Sequence, residues 1–157
     1  MRINLLCIGK TDDREITSLV KYYTDRLPKH WNFEITEIAD VKNARNLTPE
    51  QLKKEEGKLF LNSIDNSDVV VILDEKGKQF TSREFASKIE NWMNLSVKKV
   101  NFLIGGAYGF SDEIYSRANE KLSLSKMTFT HQMIRLFIVE QFYRADQILQ
   151  GKPYHND

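Results

Sequence analysis

The chain has 157 residues, of which 41% are hydrophobic and 29% charged, with a formal net charge of +1 at pH 7. These values are typical of one globular domain, here residues 1–157, and exclude a disordered chain. They also exclude a protein that holds nucleic acid mainly through nonspecific phosphate contacts. No apolar run approaches the roughly 18 residues of a membrane span, and residues 1–13 do not have the pattern of a signal peptide. We therefore expect a cytoplasmic protein without a membrane contact.

The N-terminal half alternates strand-like and helical segments. Residues 3–8 predict the first strand, with Cys7 as a small buried side chain of no catalytic role. Apolar residues at helical spacing over 16–27 predict a helix, and residues 33–38 predict the second strand. A capping box then begins a helix over residues 48–63, where an interior glycine, Gly57, indicates close backbone packing.

The C-terminal half continues this alternation. Its predicted elements are a strand at 69–73, a helix from a capping box at 81–84 to residue 92, a strand at 100–104, a helix capped by Ser111, a short strand containing Leu122 and Leu124, and a last helix over 131–150. Strands rich in valine and isoleucine that alternate with helices predict an α/β fold. We expect a mainly parallel sheet with helices on both faces.

The last helix is apolar around its whole circumference, and we expect its own sheet to cover only part of that surface in so small a domain. We therefore predict a homodimer, with a monomer whose last helix lies in the core as the alternative. Glu140 and Arg144 on this helix are spaced for a structural ion pair, which we expect to stiffen the dimer.

A glycine cluster, Gly105-Gly106 followed by Gly109, comes directly after the predicted strand at 100–104. This is the carboxyl edge at which open α/β sheets bind ligands. The spacing is not the dinucleotide fingerprint G-x-G-x-x-G, so a tight turn that needs positive φ and a ligand loop are both open.

The segment 122–135 combines small hydroxyls, one lysine and apolar side chains just before a helix begins. Its main-chain N–H and C=O groups are free to bind the edge of an adenine, while leucine and methionine side chains pack on the base. This segment predicts a loop that wraps an adenosine.

Together these segments resemble the SPOUT-class, or α/β-knot, methyltransferases, and within them the RlmH family. The most specific block is residues 124–129 followed by His131-Gln132-Met133 and Arg135. Thr130 departs from the proline that is common in the family at this place. Further matches are Gly9-Lys10, Lys54-Glu55-Glu56-Gly57, Leu73-Asp74, Gly77-Lys78, Phe102 to Gly109, Glu140-Gln141, Tyr143-Arg144-Ala145 and Tyr154-His155.

The resemblance implies a deep trefoil knot over about residues 70–150 and methylation of N3 of a pseudouridine in 23S ribosomal RNA, on the assembled ribosome. It implies S-adenosylmethionine as the cofactor. The residues it assigns to the cofactor are Leu73, Gly105, Leu124, Ser125, Lys126, Met127, Thr128 and Phe129.

Four residues are candidates for catalysis. His131 begins the last helix, whose dipole disfavours imidazolium, so we expect a neutral ring that accepts a proton. Arg135 lies one turn later and is a candidate to bind a phosphate or a base carbonyl. The tail 154–157 offers Tyr154 for stacking on a flipped base and His155 as a second proton acceptor, in the same chain or across the dimer.

No metal site is predicted, because His30, His131 and His155 are far apart and lack partners at ligand spacing. Two other functions remain open at this point. One is a nucleotide-dependent enzyme of another class, such as a small oxidoreductase, and the other is a noncatalytic ribosome-binding factor.

Overall fold

The structure, a computed structural model, describes residues 1–155 and has one five-stranded sheet in the order β2-β1-β4-β3-β5. Every strand pair is parallel, which confirms the α/β class. The elements are β1 (Arg2–Ile8), α1 (Arg14–Thr24), β2 (Glu34–Ile38), α2 (Pro49–Asn62), β3 (Val69–Gln79), α3 (Ser82–Asn94), β4 (Lys99–Ile104), α4 (Asp112–Arg117), β5 (Glu120–Ser123) and α5 (His131–Leu149), with 3-10 turns at Lys29–Trp31 and Ala44–Asn46.

Helices cover both faces of the sheet, as predicted. Successive residues of a strand point to opposite faces, so Phe102 and Leu103 of β4 belong to different cores. Phe102 packs with α1, α3 and α5, and its ring meets that of Phe142 with centroids 4.9 Å apart. Leu103 packs with Phe60 of α2 and Ile114 of α4. Two buried cores therefore hold the central strands in place.

The local signals for helix boundaries are largely confirmed. The capping boxes that begin at Thr48 and Thr81 both form. Gly57 packs closely as expected, because a Cβ added there would lie 2.5 Å from Oγ of Ser111. Ser111 stands at the predicted N-cap position of α4, although its side chain makes no capping hydrogen bond. Its hydroxyl lies close to Gly57 of α2.

Two strands differ from the sequence-based prediction. β3 continues beyond Leu73 to Gln79, with a register shift against β5 between Leu73 and Lys78. The sequence gives no sign of this extension, because the added residues are mostly charged and are held in the sheet by pairing with β5. β5 ends at Ser123, so Leu124 lies in a loop and not in a strand. The early end of β5 places a loop that begins at Leu124 at the carboxyl edge of the sheet.

Helix α5 begins after Thr130, whose side chain accepts a hydrogen bond from the N–H of Met133 over 3.2 Å. One side of α5 is buried against the sheet. Its other apolar side chains are only partly buried within one chain: Met133, Ile134, Leu136, Phe137, Tyr143, Ile148 and Leu149. Among residues 1–155, no helix combines the length and apolar character that a membrane crossing needs.

Candidate functional site

A cavity of about 660 Å³ lies at the edge of the sheet where β4 and β5 end and where the apolar part of β3 stops. Its walls are residues 73–76 within β3, residues 104–110 at the end of β4 and beyond it, and residues 124, 125 and 127–130 of the loop after β5, together with the first turn of α5. This volume lies within the range of sites for small molecules and cofactors. The cavity is therefore at the sheet edge where the sequence predicts a ligand.

The structure brings most of the predicted cofactor residues together in this cavity. Those that line it are Leu73, Gly105, Leu124, Ser125, Met127, Thr128 and Phe129. Lys126 is exposed and does not line the cavity. The assignment of these residues to a cofactor stays a prediction.

The wall after β4 is a tight turn made of glycines. Gly109 has φ +79°, and its N–H donates to the main-chain oxygen of Gly106 over 3.1 Å. A Cβ added at Gly105 would lie 3.1 Å from the oxygen of Gly109 and 3.3 Å from the ring of Phe110. The cluster is thus both a turn and a cavity wall, and it presents uncharged main chain to whatever binds.

The loop after β5 is shaped by Ser125. Its carbonyl accepts from Oγ of Ser123 and its hydroxyl accepts from the N–H of Met127, each over 2.9 Å. Within residues 126–129 of the described chain, the N–H of Met127 is the one main-chain group with a hydrogen-bond partner. The other main-chain donors and acceptors of this loop are available to a ligand. Met127 is 74% exposed and Phe129 43% exposed, so apolar side chains stand at the mouth of the cavity.

A half-buried pair that the sequence analysis missed lies on the opposite wall. The hydroxyl of Tyr115 donates to Oδ2 of Asp74 over 2.5 Å, and Oδ1 of Asp74 accepts from the N–H of Lys76 over 2.8 Å. Burial, with the hydrogen bond to Asp74, raises the pKa of Tyr115 to about 12, so the phenol remains a donor at neutral pH. Asp74 directly follows the apolar part of β3, and the rule that ligands bind where parallel strands end could have identified it.

His131 and Arg135 occupy different environments. His131 is exposed and lines the cavity as the first residue of α5. Arg135 is 1% exposed and does not line it; its guanidinium donates to the main-chain oxygen of Ile8 over 2.6 Å and to Oγ1 of Thr11 over 2.8 Å. Arg135 thus bonds groups of its own chain, and the expectation that it binds a phosphate or a base carbonyl stays a prediction. Four residues advance the helix by roughly 40° beyond a full turn, which directs Arg135 toward the end of β1.

The tail folds back on the C-terminal half of α5. Glu140 and Arg144 form the predicted ion pair, with 2.5 Å between carboxylate and guanidinium. The hydroxyl of Tyr154 donates to Glu140 over 3.1 Å, its ring meets that of Tyr143 edge-on, and His155 lies 3.3 Å from Arg144. Tyr154 and His155 therefore do not line the cavity of their own chain. The last two residues of the predicted tail lie outside the described part of the chain.

Cys7 is fully buried, and burial raises the pKa of its thiol to about 12. A thiol in this state is unreactive, in agreement with the expectation that Cys7 has no catalytic role. Over residues 1–155, histidine, cysteine, aspartate and glutamate side chains form no group of three or more that could hold a metal ion.

Comparison with known proteins agrees with this geometry. Residues 1–155 match a family described as "Predicted SPOUT methyltransferase". Among similar proteins are the "Ribosomal RNA large subunit methyltransferase H" of Christiangramia forsetii, 53% identical over 99% of both chains, and that of Parabacteroides distasonis, 47% identical over 100% of both chains. The protein of the same name from Cytophaga hutchinsonii is 49% identical over 99% of this chain and 100% of its own. These matches decide against an oxidoreductase and against a noncatalytic factor, and the chain belongs to the SPOUT methyltransferase family and is a methyltransferase.

Proposed function

We propose that this methyltransferase transfers the methyl group of S-adenosylmethionine to N3 of a pseudouridine in 23S ribosomal RNA. The observation that supports the proposal best is the cavity itself, where loops from β3, β4 and β5 converge on one space. The shared name of its relatives supports ribosomal RNA of the large subunit as the substrate. The resemblance of the sequence to the RlmH family supports the choice of base.

The residues of the cavity fit this cofactor. When bound, its positive sulfonium supplies an electrophilic methyl group. The positive charge disappears during transfer, so a carboxylate held against it would stabilise the ground state more than the transition state. The glycine wall at Gly105 and Gly106 is uncharged, and both oxygens of Asp74 already accept hydrogen bonds from the protein. Main-chain groups of residues 126–129 are free to bind the adenine edge, beside the apolar side chains of Met127 and Phe129.

His131 accepts the proton of the substrate in this proposal. N3 of a pseudouridine is an imide nitrogen between two carbonyls, and it becomes strongly nucleophilic when its proton leaves. His131 is exposed at the cavity, so the nucleobase of a substrate held there can lie within reach of the imidazole ring. General-base catalysis of this kind contributes about 10²- to 10⁴-fold to a rate.

The enzyme acts as a homodimer in this proposal. The apolar side chains of α5 that are only partly buried within one chain offer a surface for a second copy. Tyr154 and His155 lie away from the cavity of their own chain, which supports a role for the tail at the partner's cavity. Glu140 and Arg144, which form an ion pair, hold the tail against α5, because Glu140 contacts Tyr154 and Arg144 contacts His155.

The resemblance also leads us to propose a deep trefoil knot over about residues 70–150 of a single domain, residues 1–157. We further propose that the enzyme works in the cytoplasm on assembled ribosomes. A net charge of +1 supplies little nonspecific attraction for naked RNA, so a surface formed by the ribosome must provide the specificity.

The test is mass mapping of ribosomal RNA from a strain that lacks this gene. We expect one 23S pseudouridine to lack its N3-methyl group, and the wild-type gene to restore it. Gly105→Arg should not restore it, because the added side chain fills the cavity beside Gly109 and Phe110. An unchanged modification pattern in the deletion strain would contradict the proposed substrate.

A further inference from the structure

Helix α2 carries a buried carboxylate that the proposed chemistry does not use. Glu56 is 6% exposed, although the charged residues near it, Lys54, Glu55 and Lys58, are more accessible. Its neighbour Glu55 forms an exposed ion pair with Lys58 over 2.7 Å, as is usual for a charge on a helix surface. A buried carboxylate costs several kcal/mol unless it is well hydrogen-bonded, so its partner at this position is informative.

That partner is the main chain of the glycine wall. The carboxylate of Glu56 packs directly against the main chain of Gly106. A Cβ added at Gly106 would lie 2.4 Å from Oε1 and 2.6 Å from Oε2 of Glu56. The carboxylate therefore occupies the space that a side chain at residue 106 would fill. A residue larger than glycine does not fit at position 106 while Glu56 is in this place.

Gly106 is in turn part of the cavity wall, whereas Glu56 is not. The oxygen of Gly106 accepts from the N–H of Gly109, which closes the turn that begins at Gly105. The main chain of Gly106 is thus contacted from outside the cavity by Glu56, while its carbonyl closes the turn. Burial raises the pKa of Glu56 and the charge of Asp40 adds to this effect, while the main chain of Gly106 acts in the opposite direction.

We propose that Glu56 is a positioning residue for the methyl-donor site: its carboxylate fixes the main chain of Gly106 and thereby sets the shape of the wall against which the donor lies. The inference rests on the proposed function, because it assumes that the donor occupies this cavity. Glu56 acts through the loop and does not touch the donor or the RNA.

The first test compares Glu56→Gln with the matched control Glu55→Gln, which removes the same charge from the adjacent exposed residue. For Glu56→Gln we expect the KM for S-adenosylmethionine and the Kd for S-adenosylhomocysteine to rise about tenfold, since a charged contact with the main chain of Gly106 becomes a neutral one. The kcat and the KM for ribosomes should stay within about twofold of wild type, because ordinary surface substitutions change free energies by no more than this amount. Glu55→Gln should leave all four quantities unchanged.

A role limited to stability would lower the melting temperature and the active fraction without changing the KM for the donor. Wild-type donor affinity in a folded Glu56→Gln protein would overturn the inference. If wild-type protein itself binds no S-adenosylhomocysteine in calorimetry, the proposed function fails instead, so the two failures are distinguishable.

The second test is a double-mutant cycle. Gly106→Ala places a methyl group against the carboxylate of Glu56, and Glu56→Ala removes that carboxylate. We expect Gly106→Ala to weaken binding of S-adenosylhomocysteine by tenfold or more, and the double variant to bind more tightly than Gly106→Ala alone, because residues in contact are not additive. Losses that simply multiply in the double variant would overturn the coupling of Glu56 to the wall.

Discussion

The buried guanidinium of Arg135 donates from Nη2 to the main-chain oxygen of Ile8 over 2.6 Å. The same side chain bonds Thr11 and lies 3.6 Å from the carboxylate of Glu37. These contacts join the first turns of α5 to the end of β1. Since His131 is the first residue of α5, its position at the cavity depends on this buried arginine.

Replacing Arg135 tests this structural role. We expect Arg135→Ala to lower the free energy of unfolding by about 3 kcal/mol, because it removes the guanidinium donor to the oxygen of Ile8 and the buried positive charge beside the carboxylate of Glu37. Arg45 is exposed, and Arg45→Ala is the control, with an expected change within about 0.5 kcal/mol. Urea unfolding measures both. A change for Arg135→Ala as small as that of the control would show that Arg135 is not structurally buried in solution.

The proposed catalytic role of His131 predicts a selective loss of rate. His131→Ala should lower kcat by about 10²- to 10⁴-fold, the range for removal of a general base. Binding of S-adenosylhomocysteine should remain, because the cavity walls are mainly main chain and apolar side chains. His30→Ala is the control, since His30 is exposed and does not line the cavity. Full activity in His131→Ala would assign proton removal to another group or to water.

Tyr115 provides a pH-dependent prediction. Its pKa in the folded protein is raised from the ordinary 10 to about 12, so the folded state holds this proton more tightly than the unfolded state. The resulting stabilisation is fully present below pH 10 and is lost as the pH rises toward 12. In an absorbance titration, Tyr115→Phe should remove one tyrosine from the high-pH part of the curve. If the variant instead loses a tyrosine that titrates near 10, the hydrogen bond to Asp74 does not form as described.

The tail is tested by deletion of residues 154–157. In the proposed dimer the deletion should abolish methylation while the protein stays folded and still binds S-adenosylhomocysteine, because Tyr154 and His155 do not line the cavity of their own chain. Lys152→Ala, an exposed change beside the tail, should keep full activity. Unchanged methylation after the deletion would remove the tail from the mechanism.

Much of the fold follows from local pattern. The hydrophobic strands, the capping boxes at Thr48 and Thr81 and the close packing of Gly57 are each encoded within a few residues, and the structure confirms them. The extension of β3 to Gln79 is different, because pairing with a strand formed some 40 residues later holds it in the sheet.

The sequence predicts the place of the cavity, because ligands bind where parallel strands end and Gly105 and residues 124–129 follow two such strands. It does not predict the side chains that support the cavity. Glu56 has the sequence surroundings of an exposed helix residue, and Tyr115 meets Asp74 across 41 positions of the chain. Arg135 follows His131 by one helical turn, which predicts that the two side chains lie close together. Arg135 is instead buried, because its guanidinium bonds the main-chain oxygen of Ile8 at the end of β1. These contacts are tertiary, so no local pattern reports them.

The most direct measurement is a crystal structure of the protein with S-adenosylhomocysteine. The proposed function predicts that the ligand lies against Leu73, Gly105 and residues 124–129, with its sulfur facing the side of the cavity that holds His131. A ligand bound elsewhere, with this cavity empty, would contradict the proposed site.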